Sequence, residues 1–169
     1  MQRLSSRGYV DLHGWDISRE CVERAVAARV PGKLKHADAI AELKSGAPAR
    51  FDVIVAKDLL EHLPRTEVLP FLEGVHAALK PGGVFLMQDI LGHTHLADNI
   101  GSPLAPFMYT ISCMHCMSVS LAAGGPGLGA MWGRERALEM LAAAGFRDAR
   151  VETLPHDPIN YYYIASKQQ

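Results

Sequence analysis

Apolar positions along the chain alternate between short continuous runs and stretches with helical spacing, the pattern of a layered α/β domain. Residues 12–17 read as a strand ending at Asp16. Ser18 then offers an N-cap to a helix that carries Val22, Ala25, Val26 and Val30 on one face and is closed by Pro31-Gly32. A second short strand over 34–37 leads to Asp38, a brief helix over 39–44 and the loop Ser45-Gly46-Ala47-Pro48.

The run Phe51-Asp52-Val53-Ile54-Val55-Ala56 is nearly all apolar, as in a parallel strand covered on both faces. Leu69, Leu72, Val75 and Leu79 then predict a helix over about 66–79 that stops at Lys80-Pro81-Gly82-Gly83, and residues 84–90 predict another buried strand. From 91 to 133 the alternation lapses. That stretch holds a helix over about 108–122 and a glycine-dense run at 124–129, and irregular segments of this length serve as lids or binding elements. A helix over 134–144, a strand over 150–154, a turn at His156-Asp157-Pro158 and a strand over 161–165 end the chain as an antiparallel hairpin.

Charge narrows the function. Seventeen Lys and Arg against eighteen Asp and Glu leave a net charge of −1, so no global field gathers nucleic acid or an anionic membrane. No apolar run reaches the ~18 residues of a spanning helix, and no signal-peptide pattern opens the chain. A cytoplasmic location is therefore expected. Three cysteines, Cys21, Cys113 and Cys116, read as free thiols. Cys113 and Cys116 have the spacing of half a zinc site, but apart from His93 and His95 no second pair stands at a suitable distance.

In an open α/β sheet, ligands sit outside the carboxyl ends of the strands, and here three successive strands carry carboxylates: Asp16, Asp38 and the pair Asp52 and Asp58 that brackets the third. A carboxylate at such a place accepts two ribose hydroxyls, and a later one accepts an adenine amino group. The competing reading is that Asp16 and Asp38 only cap the helices that follow them. A nicotinamide oxidoreductase would share the acidic residue but needs an upstream Gly-x-Gly-x-x-Gly turn, which does not occur.

Gly14-Trp15-Asp16-Ile17-Ser18, Ala37-Asp38-Ala39, Phe51-Asp52-Val53-Ile54-Val55, Leu79-Lys80-Pro81-Gly82-Gly83 and Ala144-Gly145-Phe146 resemble, in order and spacing, the motifs of class I S-adenosylmethionine (SAM)-dependent methyltransferases. Residues 108–122, 127–133 and 156–160 are similar to a subgroup that commonly carries an N-terminal winged-helix domain. The resemblance implies a Rossmann-like, mostly parallel sheet with helices on both faces, SAM as cofactor and a small-molecule methyl acceptor, with a homodimer left open. It implies cofactor contacts at Asp16, Ile17, Asp38, Ala39, Lys57 and Asp58.

Glu61, His62 and His115 are the candidate bases for an acceptor hydroxyl or amine. Glu61-His62-Leu63 stands where the subgroup has His-Asp-Gln. Tyr109, Met114, Met117 and Trp132 are candidates for lining an acceptor pocket under a lid formed by 91–133. The family opens with a strand and a Gly-x-Gly-x-Gly turn, and nothing before Asp16 matches it. The expectation is thus a single domain over 1–169, truncated at its N-terminus, whose first strand is missing from mid-sheet and whose flanking strands are left with open edges. A non-catalytic, partner-binding remnant is the alternative to an active methyltransferase.

Overall fold

The computed structural model describes residues 1–57, 59–63, 66–122, 124 and 127–168. The chain divides into two compact units, Met1–Gly46 and Ala47–Gln169.

The first unit holds α1 (Gln2–Ser5), β1 (His13–Asp16), α2 (Arg19–Ala27), β2 (Lys33–His36) and α3 (Ala39–Ser45). β1 and β2 pair in parallel, with Asp16 opposite His36. Both predicted caps are present: Ser18 Oγ accepts from the Cys21 N–H at 3.3 Å, and Asp38 Oδ1 from the Ile40 N–H at 2.9 Å. The expected apolar face of α2 is not buried, and only Ile40 and Leu43 of this unit are. Two strands with so little covered surface make a weak structure.

The second unit holds β3 (Phe51–Lys57), α4 (Val68–Ala78), β4 (Leu79–Ile90), α5 (Ala105–Ile111), α6 (Met117–Ala122), α7 (Arg134–Ala143), β5 (Arg150–Leu154) and β6 (Asp157–Ser166). Its sheet order is β3-β4-β6-β5, with β3 parallel to β4 and the other pairs antiparallel, so the C-terminal hairpin forms as predicted. Ile54, Ala56, Phe85, Met87, Tyr163 and Ala165 share one face by register, and most of them are fully buried. Phe71, Leu72 and Val75 of α4, Ala137 and Leu141 of α7, and Phe146 complete the buried set, with Phe146 stacked on Phe85 at 5.8 Å. Leu69, expected on the inner side of α4, is partly exposed; Val68 and Phe71 take that side instead.

Three other elements differ from the sequence reading. Lys80-Pro81-Gly82-Gly83 does not end a helix in a turn but belongs to β4, looped out where the register slips from Phe51–Leu79 to Val53–Val84. Lys80 Nζ meets both carboxylate oxygens of Asp52 at 2.9 Å, and Lys167 exchanges backbone bonds with Gly82 and Gly83, so these partners tie the looped-out run to the sheet. The helix expected over 108–122 starts at Ala105 and changes to π winding over Ser112–Cys116 before α6. The last turn lies one residue early, which lets β6 start at Asp157.

β1 pairs only with β2, and β3 only with β4, among the described residues. No helix among them is long and apolar enough to cross a membrane.

Candidate functional site

The cofactor-side residues in the first unit are set by strand ends. Asp16 closes β1 and its Oδ1 accepts the Ser18 N–H at 2.7 Å; Asp38 lies two residues past the end of β2 and caps α3. The Ala37 N–H donates to the Asp16 carbonyl at 3.0 Å, which keeps the two strand ends in step. Both side chains are exposed. Each carboxylate therefore spends one oxygen on a backbone N–H, and the second makes no hydrogen bond among the described residues, so capping and ligand binding are compatible at both positions. Ile17 is exposed, with its carbonyl bonded to His36 Nε2 at 3.0 Å, and Ala39 is half-buried. In the second unit Lys57 ends β3 and is exposed; Asp58 lies outside the described residues.

The three base candidates come together within the second unit. Glu61 and His62 sit in the single helical turn Leu60–His62 after β3, and His115 sits in the π-wound turn. The His62 and His115 rings meet edge-on at 6.1 Å, and His62 Nε2 lies 3.7 Å from Glu61 Oε1. Glu61 is buried while both imidazoles are exposed. Cys116, next in the turn, is buried. Its thiol is pushed above the ordinary range first by that burial and then by the negative charge of Glu61. Cys113 is exposed, so the two thiols do not share a surface, and no three His, Cys, Asp or Glu among the described residues could hold a metal ion.

Tyr109 lines a pocket of about 210 Å³ together with Leu96, Asn99, Ile100, Ala105 and Pro106. Asn99 is buried and saturated. Its Oδ1 accepts the His93 N–H, and its Nδ2 lies within bonding distance of the carbonyls of His93 and His95 and of the Tyr109 hydroxyl, at 2.7–3.1 Å. Trp132, taken from sequence as a lining candidate, is buried, with its indole N–H on Asp89 Oδ2 at 2.8 Å. Met114 points to solvent, and Met117 is half-buried against the position where a Gly129 side chain would begin.

A second cluster, which sequence reading missed, holds the two ends of segment 91–133 together. Glu135 accepts from the Thr94 N–H at 2.8 Å and from Arg134 Nε at 3.0 Å, and its Oε1 lies 2.9 Å from His93 Nδ1. Burial alone would raise the Glu135 carboxyl; the bonds from Thr94, His93 and Arg134 outweigh it and hold the group far below the usual carboxylate range. The pairing joins residues some forty positions apart, and no local pattern announces it.

A family model described as a methyltransferase domain matches residues 2–85. No curated protein matches the chain in sequence. Among solved structures, human N-acetylserotonin methyltransferase in complex with SAM superposes with a TM-score of 0.69 at 18% identity, over 98% of this chain and 43% of that one. An O-methyltransferase family protein from Burkholderia thailandensis gives 0.69 at 15% identity over 99% and 46%. A SAM-dependent methyltransferase from Methanosarcina mazei gives 0.68 at 21% over 99% and 86%. The chain thus spans less than half the length of the first two and most of the third, and at these identities it is the fold that is shared.

That fold is the class I, Rossmann-like fold of the methyltransferases. Residues 2–85 match the methyltransferase-domain family within that fold.

Proposed function

We propose that this chain transfers a methyl group from S-adenosylmethionine to a small-molecule acceptor. The observation that carries the acceptor side of this reading is the convergence of Glu61, His62 and His115, drawn from two separate segments. On the cofactor side, Asp16 and Asp38 stand at the ends of adjacent parallel strands with one carboxylate oxygen each outside their caps. That donor set suits ribose hydroxyls and an adenine amino group. Ile17 and Ala39 would flank the same group, and the cofactor's reactive part is a methyl group on a sulfonium.

Displacement at a sulfonium methyl needs alignment and exclusion of water more than covalent help. The protein's own part is then small: His62 or His115 takes the proton from the acceptor's hydroxyl oxygen or amine nitrogen. Glu61 Oε1, 3.7 Å from His62 Nε2, faces that ring and positions it.

The alternative is a non-catalytic domain that binds a partner. One experiment separates the two: calorimetric titration of S-adenosylhomocysteine into the chain, followed by transfer of labelled methyl to a panel of small hydroxyl and amine acceptors. Binding with transfer, lowered about 10²-fold or more in His62→Gln or His115→Gln, is the expected result. A folded chain that neither binds nor transfers would overturn the proposal in favour of the alternative.

A further inference from the structure

The segment between Asp98 and Arg134 contains no Asp, Glu, Lys or Arg, yet much of it is on the surface. Leu104, Phe107, Ile111 and Met114 follow one another at spacings of three, four and three, the interval that aligns side chains along one side of a helix. The opposite side of α5 and the π-wound turn is the buried one, marked by Ala105, Ser112 and Cys116. The outer side has no cover among the described residues: Phe107 is 61% exposed, Met114 78%, and Ile100 in the preceding loop 80%. Leu96 before this stripe and Leu121 beyond it, on α6, are exposed as well.

We infer that this face is the contact surface for a second copy of the chain. Area is the first argument. With ~200 Å² for a fully exposed large apolar residue, Leu96, Ile100, Leu104, Phe107, Met114 and Leu121 present on the order of 700 Å². That exceeds the largest apolar patch of an ordinary monomer and is close to the ~800 Å² that each partner brings to a standard interface.

Charge is the second argument. A two-fold axis sets each patch against its own copy, so a patch of one sign would repel itself, whereas this one carries no formal charge. A lipid surface is the poorer match, because interfacial helices flank their apolar face with Lys and Arg and this segment has neither.

Shape is the third. The face carries both a projection and a hollow: Phe107 stands out beside Pro106, which lines the 210 Å³ pocket with Leu96, Ile100 and Tyr109. An isologous contact, in which residue i of one copy meets residue j of the other and the reverse, places the Phe107 ring of each copy at the pocket of its partner.

Sedimentation equilibrium of the chain over a concentration series tests this. The native chain is expected to sediment as a dimer, and Phe107→Asp and Met114→Lys as monomers with unchanged far-UV circular dichroism. Mixing Phe107→Glu with Phe107→Lys should restore a dimer. A second measurement leaves the face unaltered: in a Cys21→Ser background, Cys113 is the exposed thiol beside Met114, and a short bis-maleimide should link two copies through it. A native chain that stays monomeric, a dimer that survives both charged substitutions, or a dimer that cannot be linked through Cys113 would overturn the inference.

Discussion

Gly133 has φ 85° and ψ 155°, a backbone conformation open almost only to glycine, and a Cβ there would lie 2.1 Å from the Thr94 nitrogen. Strain and clash act together, so Gly133→Ala is expected to lower stability by about 3 kcal/mol or more in urea titration. An unchanged midpoint would contradict the packing described. Its neighbour Glu135 makes a different kind of prediction. A carboxyl whose folded pKa lies below its unfolded value of 4.5 contributes stability that is fully present above pH 4.5. That contribution is lost as the pH falls from there toward the depressed folded value. The melting-temperature gap between the native chain and Glu135→Gln should therefore be constant near neutrality and close below about pH 4.5; a gap independent of pH would rule this out. On the ligand side, Asp16→Ala should weaken S-adenosylhomocysteine binding by about 1–3 kcal/mol, read by calorimetry, if the carboxylate holds the ribose.

Elements carry the next set of consequences. β3 is the edge of its sheet, and Val53 and Val55, two residues apart and therefore on one face, are 41% and 53% exposed. A flat apolar edge with backbone donors and acceptors on one side is a template for unwanted pairing. Val55→Lys should raise the concentration at which the chain stays clear by light scattering while changing unfolding free energy by no more than about 0.5 kcal/mol. Unaltered aggregation would show that the edge is already covered. The sequence reading identified this strand from its apolar run, and the same run accounts for the mistaken expectation of cover on both faces. A strand's pattern reports what it could bury and not what lies next to it. The π-wound turn at Ser112–Cys116 was illegible because its five residues have ordinary helical propensities and nothing in them signals wider winding.

At the scale of the whole molecule, buried side chains are distributed unequally. Residues 1–46 bury Ile40 and Leu43, whereas every other buried apolar side chain among the described residues lies in Ala47–Gln169. Hydrogen exchange should accordingly be slowest in β4, β6 and α4 and fast throughout β1, β2 and α2; equal protection in both units would contradict this. The order of strands and helices, the caps at Ser18 and Asp38 and the C-terminal hairpin were determined by the sequence alone. They depend on periodicity, cap chemistry and turn residues within a few positions of each other. The division into two sheets, the meeting of Glu61 and His62 with His115, and the Glu135 clip on His93 and Thr94 were decided by tertiary structure. Each joins positions far apart in the chain, and a pairing between distant residues has no local signature because its free energy exists only once the intervening segments have packed.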